Sequence, residues 1–302
     1  MKTIAPKPPT VAESPRGVAG WRDYWILVRP RIVGMVLFTM TVTALVAGPH
    51  MPRWGDLAHA LAGSALVIAG AIALNQRIER RTDALMRRTA SRPLPSGRMT
   101  TRQAARFGLV ASTLGLAYLA ATTPWTLVGL TLVSWVVYVW VYTPMKVFSA
   151  WQTPLGALAG AMPTLMGAAV AGHPGGLMAM GLFGVVYFWQ FPHAMAIAWL
   201  YRNEFAAANL KVATVVDPSG RVAAVLAVIG ATLLLPLGLL PWLAGAASLA
   251  YGVASLLLGL GYLASSIDFL RRTDDIRARR LLRVSLVYLP AVFVAVLWAA
   301  RM

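Results

Sequence analysis

Between Asn75 and Gly97 the chain reads NQRIERRTDALMRRTASRPLPSG, and Asn75, Glu79 and Asp83 stand four residues apart in it. On a helix each such step turns a side chain by about 40° and lifts it roughly 6 Å, so the three oxygen-bearing groups share one face. Oxygen ligands of this kind suit Mg²⁺, which takes one or two carboxylates and completes its shell with water and substrate phosphate. The surrounding Arg77, Arg80, Arg81, Arg87, Arg88, Arg92 and Arg98 suit the phosphate itself. Acid and base together predict a site for a metal–diphosphate. Charge patterning alone also permits a plainer outcome, with Glu79 and Asp83 paired to neighbouring arginines on a solvated surface.

The elements that must position this face follow from composition. Of 302 residues 58% are hydrophobic and only 12% charged, with a mean hydropathy of +0.66. Too little charge is present to clothe a soluble globule of this size. Apolar runs long enough to cross about 30 Å of hydrocarbon recur near 32–48, 57–75, 104–121, 125–142, 152–171, 176–200, 221–241, 243–264 and 283–300. They are continuous rather than alternating, which predicts an all-α integral membrane protein, a bundle of nine transmembrane helices, and excludes a barrel. Short connections are expected at Ala121–Pro124, His173–Gly176 and Leu240–Trp242. The chemistry-bearing face begins where the second run ends, at a membrane edge.

A formal charge of +17 could suggest nucleic acid, but its placement argues for a lipid bilayer instead. With the N-terminus in the cytoplasm, 25 of the 27 basic residues fall inside, and only Arg53 and Arg301 fall outside. That asymmetry predicts a cytoplasmic N-terminus, and an odd number of spans an external C-terminus; the expected location is a bacterial inner membrane. Residues 1–22 are polar and Pro-rich, show no signal-peptide pattern, and read as a disordered cytoplasmic leader ahead of one transmembrane domain over 23–302. The absence of cysteine removes disulfides and thiolate metal sites.

Two further clusters carry polar groups. The sixth run contains WQFPH, Trp189 to His193, inside otherwise apolar sequence. Unsatisfied polar groups are costly there, so Gln190 and His193 should face the bundle or a cavity, and Pro192 should free a carbonyl. A lone histidine is often no more than a structural hydrogen bonder, so both roles stay open. Asn203 and Glu204 follow this run directly, and Asp217 closes the same loop.

At this point the residues resemble a known family. The pattern N-x-x-x-E-x-x-x-D followed by R-T-x-x-R-P-L-P-S-G is similar to the first aspartate-rich motif of the UbiA superfamily of membrane prenyltransferases. More narrowly, RPR at Arg29–Arg31, DALMRRTASRPLPSG at Asp83–Gly97, YT at Tyr142–Thr143, GAMP at Gly160–Pro163 and WQFPH resemble its heme O synthase branch, over about Tyr24 to Gly220. The resemblance implies a central cavity, open sideways to lipid and capped by cytoplasmic loops. It implies transfer of the farnesyl group of farnesyl diphosphate to a vinyl group of protoheme IX (heme B), with Mg²⁺ as cofactor. Heme A synthase or oxidase assembly proteins are the implied partners downstream. Carried over by position, Asn75, Glu79 and Asp83 would hold metal and diphosphate, and Arg87, Arg88, Arg92 and Lys146 would contact phosphate. Asn203 and Glu204 would serve a second Mg²⁺, and Trp189, Gln190 and His193 would lie against the porphyrin.

The chain departs from the family pattern at several positions. Arg81 stands where the first motif carries another Asp, and Asn203-Glu204-Phe205 replaces Asp-Asp-Tyr. A basic cluster after Tyr142–Thr143 is reduced to Lys146, followed by Val147 and Phe148. An expected glycine is Asn209, and an expected proline is Thr214. Two other readings therefore stand beside the first: a transferase acting on an aromatic or quinone precursor, and a catalytically degraded heme-binding assembly protein. A transporter is disfavoured, because charged groups cluster at one membrane face and mark no path across.

Overall fold

The structure, a computed structural model, describes residues 19–299. The expected leader lies almost wholly outside the described residues, as does Arg301. Residues 21 and 22 belong to the first helix rather than to the leader.

Every regular element is helical. A short α1, Trp21–Val28, meets α2, Pro30–Val46, at a bend of 45°. Then come α3, Trp54–Ala84, and α4, Thr101–Thr122. The next helix starts as α5, Trp125–Val136, widens into a π-helical turn, Val137–Tyr142, and closes as α6, Thr143–Met145. The second half holds α7, Gln152–Val170, and α8, Leu177–Leu200. Two short cap helices follow, α9, Arg202–Ala207, and α10, Ala213–Val216. The chain ends on α11, Arg221–Leu243, α12, Leu249–Arg271, and α13, Asp275–Ala299. Among the described residues seven helices are long and apolar enough to cross a membrane, or eight if the bent α1–α2 pair is one span.

Two boundaries differ from the sequence expectation for physical reasons. The run expected at 57–75 is the middle of a 31-residue helix, so the polar stretch to Ala84 continues it out of the apolar layer. The connection expected at Leu240–Trp242 is helical: α11 runs through Pro236 and Pro241 to Leu243, and the turn falls at 244–248. A proline costs a helix one hydrogen bond, but neighbouring helices carry that cost inside a bundle.

Helix pairing rests on small residues. A Cβ on Gly70 of α3 would strike Ser112 and Gly108 of α4, and one on Gly115 would lie 2.8 Å from the Gly63 carbonyl. Backbones can approach this closely only where side chains are absent. One buried core joins α8, α11, α12 and α13, and includes Tyr251, Tyr262 and Tyr288. A second joins α2, α3, α4, α5 and α7 around Met40, Leu119 and Leu127. Leu257, Val287 and Val294 stay exposed on the periphery, as befits surfaces that meet hydrocarbon rather than water.

Gly160 and Gln190 join the halves and explain why GAMP and WQFPH occur together. Gln190 Nε2 donates to the Ala157 and Val186 carbonyls at 3.0 Å each, spending both amide protons across α7 and α8. Its Oε1 occupies the place where a Cβ on residue 160 would stand. Gly160→Ala is therefore expected to destabilise the protein by about 1–3 kcal/mol through overpacking. A thermal melt in detergent checks this, and Gly160→Ala with Gln190→Ala should recover most of the loss.

Candidate active site

A cavity of about 480 Å³ opens between α2, α3, the π-helical turn, α7 and α8. The long α3 supplies Asn75, Glu79 and Asp83 to its wall, all from one helix face as the spacing requires. They are not surface ion pairs. Glu79 accepts a 2.5 Å bond from Lys146 Nζ, with side chains 14% and 18% exposed. Asp83 accepts one of 2.5 Å from Arg92 Nη1, with Asp83 only 2% exposed. Two carboxylates and two cations thus alternate at the polar end, while Val67, Ile68, Ala71 and Met166 line the apolar end.

Local structure orients the third oxygen. The Thr143 hydroxyl donates its one proton to the Tyr138 carbonyl at 2.7 Å, five residues back, a reach that the π-helical turn makes available. Thr143 Oγ1 can then only accept, and it takes Asn75 Nδ2 at 2.8 Å. This leaves Asn75 Oδ1 as the free acceptor of a buried, cavity-lining amide. Thr143→Val should release that amide and lower affinity for Mg²⁺ with a prenyl diphosphate about 10–100-fold, read by isothermal titration. Unchanged affinity would separate Asn75 from the metal.

Arg29 is a cavity residue that the sequence did not single out, although it lies within RPR. It sits between α1 and α2 at φ 52°, ψ 65°, a left-handed conformation uncommon for any residue but glycine. Gln76 holds this junction by donating to the Leu27 carbonyl at 2.5 Å. Pro30 at the start of α2 marks the break, since the residue before a proline is pushed out of the helical conformation.

Not every expected residue reaches the wall. Arg87 and Asn203 are exposed and outside the lining. Glu204 stands at the rim, where its carboxylate accepts the Arg88 backbone N–H at 3.4 Å. The Arg88 guanidinium lies 5.3 Å from the centres of both the Tyr201 and Phe205 rings, so the two motif loops meet across the mouth. Trp189 lies outside the cavity lining. Its indole is buried in the α8–α13 core and donates to the Ser285 carbonyl at 2.7 Å, with only its stacking on His193 linking it to the cavity. Gln190 and His193 do line the cavity.

The departures from the family pattern are also explained. Arg81 is exposed and does not line the cavity, so it leaves the Glu79–Asp83 pair intact. Asn209 adopts φ 52°, the left-handed region where glycine is free and asparagine is the best-tolerated substitute. Thr214 ties the cap down by donating to the Ala198 carbonyl at 2.8 Å. Asp217 is a helix-capping residue, not part of a second acidic site. Hydrogen bonds from the Ser219 hydroxyl and the Val222 N–H hold its carboxyl below the usual carboxylate range. Among the described residues no three His, Asp or Glu side chains gather into a metal cluster. A metal that shares its shell with a diphosphate does not need one.

The chain belongs to the UbiA prenyltransferase family, whose pattern matches residues 36–297. The fold agrees. A digeranylgeranylglyceryl phosphate synthase superposes with a TM-score of 0.73 at 14% identity, covering 92% of this chain and 98% of that one. A UbiA homolog from Archaeoglobus fulgidus, bound to GPP and Mg²⁺, superposes at 0.63 with 16% identity, covering 91% and 99%. Within the family, relatives from Solibacter usitatus and Rhodopirellula baltica are both named protoheme IX farnesyltransferase. They are 37% and 40% identical, covering 90% and 88% of this chain and 96% of each relative.

Proposed function

We propose that this chain transfers the farnesyl group of farnesyl diphosphate to a vinyl group of protoheme IX, yielding heme O. One observation carries the reading: alternating Glu79, Lys146, Asp83 and Arg92 stand at the polar end of a cavity that also presents Gln190 and His193. The allylic C–O bond breaks and diphosphate leaves with its electron pair. Farnesyl C1 bonds to the terminal vinyl carbon, and water adds to the adjacent carbon with loss of a proton. Lys146, Arg92, Arg29 and Arg88 stabilise the departing oxygens electrostatically in a site of low dielectric. The apolar wall shelters the allylic cation from early capture by water. Asn75, Glu79 and Asp83 fit Mg²⁺, which when bound neutralises charge on the leaving diphosphate. Glu204 acts at the rim by holding the Arg88 loop.

We read nine spans, counting α8, the sixth in chain order, with the eight above. It is 24 residues long, and Trp189, Gln190 and His193 lower its hydropathy without shortening it. Charge asymmetry supports an inner-membrane protein with a cytoplasmic N-terminus and an external C-terminus. The product is lipid-soluble and suits hand-over to a heme A synthase or an oxidase assembly protein in the same bilayer. The exposed Arg81 favours an active enzyme over a degraded heme carrier, since the carboxylate pair is whole. Expression in a strain lacking heme O synthase tests this, with heme O measured by extract chromatography. Bound heme B without product would identify a carrier, and prenylation of a phenolic acid in place of heme would identify the third reading.

A further inference from the structure

The protons around His193 can be counted one by one. Ser285, fully buried on α13, donates its single hydroxyl proton to the Leu282 carbonyl at 2.6 Å. The same Oγ lies 2.8 Å from His193 Nδ1. With its proton committed, Oγ meets the imidazole as an acceptor; the opposite assignment would leave two oxygen lone pairs facing each other at 2.6 Å. Nδ1 therefore carries the hydrogen. In the neutral ring Nε2 then bears the lone pair, and it bonds to no described residue on a side chain that lines the cavity. Trp189 stacks on the ring at 4.8 Å and 22°, and its own N–H goes to the Ser285 carbonyl, so ring and hydroxyl are held by one support.

An imidazole whose Nδ1–H is bonded to oxygen and whose Nε2 is open is built as a metal ligand, with its basicity raised by the partner behind it. The cavity's carboxylates sit at the polar end with their own cations, which leaves a neutral nitrogen donor for a softer centre. We propose that His193 Nε2 ligates the iron of the porphyrin substrate and that Ser285 is the positioning residue that sets its tautomer. This deepens the reading of a heme-prenylating enzyme and rests on it.

The test uses the full-length protein in detergent with ferrous heme B as probe and metal-free protoporphyrin IX as control. The wild type should bind the iron porphyrin more tightly than the metal-free ring and show an iron–histidine stretch by resonance Raman. His193→Gly should lose both, and added imidazole should restore ligation. Ser285→Ala should keep the band but shift it to lower frequency and weaken iron-porphyrin binding about tenfold. Its affinity for farnesyl diphosphate should stay unchanged, and Ser285→Thr should return the frequency towards the wild-type value. A wild-type complex with no such band, a band that survives His193→Gly, or one whose frequency Ser285→Ala does not change overturns the proposal. Heme O formation without histidine ligation would sink this inference alone, whereas ligation without heme O formation would sink the reaction assigned above and leave His193 as a ligand.

Discussion

Asp83→Ala should lower kcat by at least about 100- to 1000-fold, which corresponds to about 3–4 kcal/mol of lost stabilisation where charge develops. The carboxylate is 2% exposed and bonded to Arg92, so its removal takes away a proposed metal oxygen and also leaves a guanidinium without its counter-charge. Breaking a buried pair in this way typically costs about 3–5 kcal/mol of stability. Asp83→Asn keeps the shape and separates the two effects: it should fold better than the alanine variant yet turn over no faster. Single-turnover assays with farnesyl diphosphate and heme B check the rate, and thermal melts check the fold. Full activity in either variant would remove Asp83 from the reaction.

Lys146→Met should reduce kcat/KM for farnesyl diphosphate about 100-fold, the scale expected when one preorganised charge is lost from a leaving-group site. Lys146 is held at three points: its ammonium bonds Glu79, the same group lies 4.3 Å from the centre of the Tyr142 ring, and its carbonyl accepts the Lys211 N–H of the cap at 2.8 Å. Methionine keeps the stem and the backbone contact but strands Glu79. The double variant Lys146→Met, Glu79→Gln should regain stability without regaining turnover. If turnover returned as well, the lysine would be there only to neutralise the glutamate.

The face carrying Asn75, Glu79 and Asp83 was legible because four-residue spacing translates directly into one side of a helix. The helical bundle was legible because spans of lipid-facing length need no tertiary context to declare themselves. The partners of those carboxylates were not. Lys146 bonds Glu79 across 67 positions and Thr143 bonds Asn75 across 68, and no local pattern encodes such encounters. Trp189 lies off the cavity wall for a geometric reason. On α8 the cavity takes 190, 193, 194, 195, 197 and 198, a helix face built on an i, i+3, i+4, i+7 stripe, with Trp189 beyond its edge. Gln190 and His193 were correctly expected to face inward, but whether each served a helix contact or a guest depended on protons that only the assembled neighbours assign. Arg29 was missed because its place on the cavity wall depends on how α1 docks on α3, where Gln76 bonds the Leu27 carbonyl across 49 positions.

Thr143 and Ser285 have one habit in common: each hydroxyl spends its hydrogen on a carbonyl of its own helix and meets the chamber's side chains only as a receiver. The amide at 75 and the ring at 193 are thereby both turned so that lone pairs, not hydrogens, look inward. Electron-poor centres are favoured at those two points before any guest arrives, and losing the hydroxyl behind either group would weaken that preference without touching the wall itself.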